Sequence, residues 1–207
     1  MAMRLGSDQT GWATVVWVDP GGTTGWGVMS VDPCALVGNH RPLHHSIEHW
    51  VCGDTKGNED QMASAMLELY AMWEDAAIGI ESFTVRKFLQ HREFLSPVRI
   101  RAKIEYGLWL AEKWDAADDE REVGRPRRLF TQDPSLAKTK LTDERQREFG
   151  LWEPGADHKR DAIKHCYTFL SKCRESPRMR YYAWPTLFRS DGEPMKRRPP
   201  TSKRSNR

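Results

Sequence analysis

The chain has 207 residues, of which 39 % are hydrophobic and 29 % charged, with nine Trp. That is enough for one medium domain with a buried core. No apolar run approaches the ~18 residues a membrane helix needs, which excludes a spanning segment. The net charge of +3 comes from 32 basic and 29 acidic residues, and its distribution is uneven.

Thr14 to Val18 is a short β-branched run that stops at Asp19-Pro20-Gly21-Gly22, the pattern of a buried strand closed by a turn. Thr24 to Val31 predicts a second strand and Ser46 to Cys52 a third, joined in an antiparallel meander. The period then changes. Met62, Met66, Leu69, Tyr70 and Trp73 make one face of a helix over 58–75. Ala77 to Glu81 is a buried strand ending in an acid, and Ile100, Ile104, Leu108 and Ala111 mark a helix over 97–114. Arg127 to Thr131 predicts a fifth strand and Leu141 to Phe149 a short helix. Ile163, Cys166, Leu170 and Cys173 form the core stripe of a last helix over 157–173. The order is that of a layered α/β domain over residues 1–175.

Residues 176–207 carry nine Lys/Arg against Asp191 and Glu193, a surplus of seven, which leaves the first 175 residues at −4. This Pro/Arg-rich tail reads as partly disordered and as an electrostatic tether for nucleic acid, although the aromatics of 177–189 suit packing on the body. Met1 to Ser7 lack the apolar stretch of a secretory signal. The four Cys, Cys34, Cys52, Cys166 and Cys173, form no CxxC pair. A reducing, cytoplasmic setting is therefore expected, with no disulfide scaffold.

The chemistry concentrates at the strand ends. Asp19 and Glu81 close two buried strands and would face one crevice, where charge is costly unless paired or metal-bound. His158 and Asp161, at i and i+3, share a face at the start of the last helix. Oxygen donors with one imidazole suit Mg²⁺ or Mn²⁺. The plain alternatives are a turn-capping Asp19 and a surface His–acid pair, and Asp157 is a candidate cap of the helix.

Asp19-Pro20-Gly21 with Thr24-Gly25-Trp26, Ile78-Gly79-Ile80-Glu81, and Asp157-His158-Lys159-Arg160-Asp161-Ala162 resemble, in order and spacing, three motifs of the RuvC-type Holliday junction resolvases. The resemblance spans 14–174. It implies an RNase H-like fold, a five-stranded mixed sheet flanked by helices. It also implies a metal-dependent endonuclease that cuts branched DNA as a homodimer making paired nicks. The matching metal ligands are Asp19, Glu81, His158 and Asp161, serving two Mg²⁺ or Mn²⁺ ions.

Beside the second acid, Arg86, Lys87, Arg92, Arg99 and Arg101 are interleaved with Phe83 and Phe88. These residues suit phosphate neutralisation and base stacking, or simple packing of the loop on the next helix. Lys138 and Lys140 form a second basic pair with candidate phosphate contacts. Competing readings are an RNase H-like nuclease of flaps, forks or RNA–DNA hybrids, and a non-catalytic DNA-binding protein of the same fold. Asp19 to Gly25 also resembles the first phosphate loop of actin-like sugar kinases, but the second loop of that family is missing.

Overall fold

The computed structural model describes residues 11–38, 41–83, 95–117 and 128–195. Five strands form one mixed sheet: β1 (Ala13–Asp19), β2 (Thr23–Val31), β3 (Ile47–Lys56), β4 (Ala77–Glu81) and β5 (Leu129–Gln132). Their order across the sheet is β3-β2-β1-β4-β5. β1, β2 and β3 pair antiparallel, and β4 and β5 continue parallel to β1. This is the five-stranded, helix-flanked RNase H-like architecture.

Pleating sends alternate residues of β1 to opposite faces, and both faces are dry because β1 is central. Val16 and Val18 pack with Ile78 and Ile80 against α1 (Glu59–Met72) and α2 (Ser96–Ala117), which contribute Met62, Met66, Tyr70, Ile100 and Ile104. Val15 and Trp17 face α5 (Asp157–Glu175), meeting Ile163, Cys166, Phe169 and Leu170. α1 starts with a capping box in which Asn58 and Gln61 satisfy each other's backbone N–H. Two glycines set how closely the layers approach. A Cβ at Gly25 would collide with the backbone of His158 and Lys159, so β2 can lie directly under the start of α5. A Cβ at Gly79 would collide with the ring of Trp17, which lies across β4.

Two helices depart from the expected order. α3 (Pro134–Lys140) was not expected, and α4 (Asp143–Glu148) is the short helix expected over 141–149, starting later because Leu141 caps the end of α3. The chain also continues packing past residue 175. α6 (Pro177–Ala183) follows α5 directly, and Trp184 and Phe188 are fully buried in the α5-side core. Arg180 is buried there too, its guanidinium donating to the carbonyls of Leu36, Cys173, Arg174 and Gly192. Trp184 Nε1 donates to the Thr14 carbonyl at 2.7 Å. The packed fold therefore reaches Pro194, which bridges to Phe188, rather than stopping at the compositional change near 176. The strongly basic remainder, 196–207, lies outside the described residues. Among the described residues no helix is long and apolar enough to cross a membrane.

Candidate active site

Two parallel strands bring the first acids together. Val18 of β1 pairs with Ile80 of β4, so Asp19 and Glu81, one residue further on, end neighbouring strands side by side. Such carboxyl ends open into a crevice that no side-chain layer covers. Asp19 is buried at 6 % exposure, and the Glu81 side chain is only partly exposed.

The start of α5 supplies the other two residues. Because β2 has no side chain at Gly25, the first turn of α5 rests on that strand beside Asp19. His158 Nδ1 then donates to Asp19 Oδ2 at 2.8 Å. That contact makes Nε2 the lone-pair atom of the neutral ring. Asp161, one turn on, holds two ammonium groups: Lys164 Nζ lies 2.8 Å from Oδ1 and Lys138 Nζ 2.9 Å from Oδ2. Glu81 Oε2 accepts from Nε2 of His165, a fully buried residue, at 2.8 Å.

The electrostatics follow from this convergence. Burial pushes the Asp19 carboxyl above its ordinary range, and the charges of Glu81 and Asp161 add to the rise, while the hydrogen bond from His158 offsets part of it. The same bond, with the surrounding acids, raises His158 against the opposing effect of its own partial burial. Asp161 is held below its ordinary value: burial opposes this, but the hydrogen bonds from Lys164 and Lys138 outweigh it. Lys138 is raised chiefly by its hydrogen bond to Asp161, and it also feels Glu81 and Asp19. One ammonium group thus acts on all three carboxylates.

Asp19, Glu81, His158 and Asp161, the four residues expected from the sequence, are brought to one place. As they stand, no group of three or more His, Cys, Asp or Glu among the described residues is set to hold a metal ion. Each carboxylate is engaged by an imidazole or an ammonium instead.

The expected DNA contacts divide. Lys138 is at the cluster, with 55 % of its side chain exposed, whereas Lys140 sits further off against Glu175. Phe83 follows Glu81 closely and is exposed. Arg86, Lys87, Phe88 and Arg92 lie outside the described residues. Arg99 binds both oxygens of Glu59 on α1, and Arg101 pairs with Glu105 one turn along its own helix. These two cations therefore carry less free charge than the run of basic residues suggests. Asp157 is the first residue of α5 rather than its cap, and its carboxylate pairs with Arg160.

His165 and Lys164 were not expected at the site. The signal was present: His158, Asp161 and His165 fall at i, i+3 and i+7, one stripe of a helix. The apolar stripe at Ile163, Cys166 and Leu170 runs along the adjoining face and dominates the hydrophobic period of the helix. Arg160 and Arg147 both lie over the ring of Trp152, at 4.4 and 3.7 Å from its centroid, and set positive charge beside the first turn of α5.

Fold and site together define an α/β protein of RNase H-like architecture, with a carboxylate–histidine cluster where its central parallel strands end. Among solved structures the chain is similar to RuvC of Thermus thermophilus in complex with a Holliday junction substrate. The two share 15 % identity with a TM-score of 0.51, over 79 % of this chain and 96 % of that one. A second T. thermophilus RuvC structure matches at 16 % identity and a TM-score of 0.51, over 78 % of this chain and 96 % of that chain. No protein-family model matches the chain, and no curated protein matches it in sequence.

Proposed function

We propose that this chain is a divalent-metal-dependent endonuclease that cuts branched DNA, resolving Holliday junctions by paired phosphodiester hydrolysis as a homodimer. The observation that carries the reading is the convergence of Asp19, Glu81 and Asp161, with His158, at the ends of β1 and β4. The likeness of the fold to a RuvC bound to a junction supports the substrate class.

The donor set fits a hard divalent cation. Three carboxylates and one imidazole offer the oxygen-rich ligation that Mg²⁺ and Mn²⁺ take. Burial raises the Asp19 carboxyl first, with the charges of Glu81 and Asp161 adding to the rise, and a bound cation would offset both. Asp19, Glu81, Asp161 and His158 would hold it. When bound, divalent ions relieve phosphate charge and lower the pKa of a nucleophilic water.

The protein's own groups do the remainder. Asp19, buried between the other acids, is fixed by its hydrogen bond from His158. Lys138 neutralises Asp161 and, being more than half exposed, can turn to an incoming phosphate oxygen. Phe83 follows Glu81 at the end of β4, where an exposed ring can stack on an unpaired base.

The test is cleavage of matched four-way junction, flap, fork, linear duplex and RNA–DNA hybrid with Mg²⁺ or Mn²⁺. Symmetric paired nicks on the junction, lost in Asp19→Asn with folding and DNA binding retained, are expected. Cleavage confined to flaps, forks or hybrids overturns the junction assignment. Wild-type cleavage by Asp19→Asn overturns the site.

A further inference from the structure

We propose that His165 is the positioning residue for Glu81: its Nε2–H fixes one carboxylate oxygen and so presents the other to a cation in the crevice. This rests on the metal-site reading above and adds a residue to it.

Three observations hold the ring in place. His165 is completely buried, and its imidazole lies parallel to the Trp17 ring at 3°, with centroids 5.4 Å apart. Trp17 itself is wedged over Gly79 of β4, where any side chain would displace it. Gln132 of β5, whose backbone pairs with Glu81, donates its Nε2 to the His165 carbonyl at 3.2 Å. Strand, ring and helix therefore lock one another, and the one hydrogen bond that the ring makes among the described residues is to Glu81.

The tautomer follows from the same contacts. An ionised carboxylate only accepts, so the atom 2.8 Å from Glu81 Oε2 carries the hydrogen. Nδ1 has no partner among the described residues. The ring thus presents its Nε2–H to Glu81 as a fixed donor.

Glu81 differs in this from its neighbours. Asp161 is held by two ammonium groups, one of them on an exposed and movable side chain, whereas Glu81 is held by a rigid, buried ring. A ligating carboxylate gains affinity when such an outer hydrogen bond fixes its orientation, by about 10- to 100-fold. A core histidine of purely structural value would stabilise the fold and leave cation binding unaffected.

The experiment is Mn²⁺ titration of the full chain by calorimetry, with thermal melting in parallel, for wild type and four variants. His165→Phe keeps the stack on Trp17 and removes the donor; His165→Gln restores a donor near the Nε2 position; His165→Asn carries a donor that ends short of it. Asp19→Asn serves as the control for the site. Phe and Asn should bind Mn²⁺ at least about tenfold more weakly, and Gln within about threefold of wild type. Wild-type affinity in a folded His165→Phe overturns the proposal, as does Gln binding no better than Asn. The Gln–Asn comparison decides the matter should the Phe variant fail to fold. Undiminished Mn²⁺ binding in Asp19→Asn would overturn the metal site itself, a separate failure.

Discussion

Gly25→Ala tests how the site is assembled, because it perturbs the site without substituting any of the residues that form it. An added Cβ would lie 2.5 Å from the Lys159 backbone nitrogen and closer still to the His158 carbonyl group. Ordinary contacts of this kind begin near 3.4 Å, so the first turn of α5 must retreat by about 1 Å. The obstructing atoms are backbone, so no rotamer change relieves the clash. Overpacking of this kind costs about 1–3 kcal/mol, which in a chain of this size lowers Tm by about 2–10 °C. The same retreat lengthens the 2.8 Å bond between His158 and Asp19 beyond hydrogen-bonding range. A displacement of ~1 Å at a catalytic group costs about 100-fold in rate. Single-turnover cleavage of a four-way junction, read beside thermal melting, measures both effects. Gly27→Ala is the control: its Cβ would lie 3.0 Å from the flexible Ile163 Cδ1 and 3.2 Å from the α5 backbone at Ala162 and Ile163, so the helix need give by only a few tenths of an ångström, a full turn away from His158. It should lose stability while keeping most of its cleavage. Wild-type cleavage by Gly25→Ala, or equal losses in both variants, would refute the argument that close approach at Gly25 positions His158.

Three further predictions concern the chain end and the α1–α2 contact. Truncation after residue 175 removes buried Trp184, Phe188 and Arg180, and since a single Trp→Ala change costs about 3–5 kcal/mol, the fold should not survive. Truncation after 195 removes six Lys/Arg and no acid. It should leave Tm unchanged and lower the salt slope of DNA binding by about 1 for each phosphate that the tail neutralises; an unchanged slope refutes the tether. Arg99 holds the Glu59 carboxyl below its ordinary 4.5, with the hydrogen bond to Arg99 the largest cause. A depressed carboxyl gives stability that is present above the unfolded value and lost as pH falls through the folded one. Glu59→Gln should therefore flatten the acid side of the Tm–pH profile, by no more than about 2 °C for so exposed a pair. A profile parallel to wild type below pH ~4 would count against the pairing.

Charge illustrates how composition and structure differ in what they reveal. The sequence separates a mildly acidic body from a basic end, and that division is real in the chain. Part of the body's acidity is the cluster at Asp19, Glu81 and Asp161, as the strand-end positions indicate. The basic run after Glu81 is another matter. Arg99 and Lys103 face Glu59 and Asp60 across the α1–α2 contact, a neutralisation that no linear window contains.

The sequence by itself determined the elements and the four clustered residues. Hydrophobic period distinguishes β1 and β4 from α1 and α5, and acids that end buried strands must face a common crevice. The i, i+3 spacing puts His158 and Asp161 on one face whatever the helix packs against. α3 and α6 left a local trace that hydrophobic period does not register: Asp133-Pro134 and Ser176-Pro177, each a capping side chain followed by proline at the first helical position. Only the tertiary structure decided which cation meets which acid. Lys138 reaches Asp161, and His165 reaches Glu81 across 84 residues of sequence, because strand register and the close seating of α5 on β2 bring them together. Composition marked residues 176–207 as tail, with only the aromatics of 177–189 suited to packing, and Arg180 and Trp184 are held in the core because that arginine finds four backbone carbonyls and Trp184 finds the carbonyl of Thr14. Composition registers the charge and the prolines of that segment; satisfaction of its polar groups exists only in the folded chain.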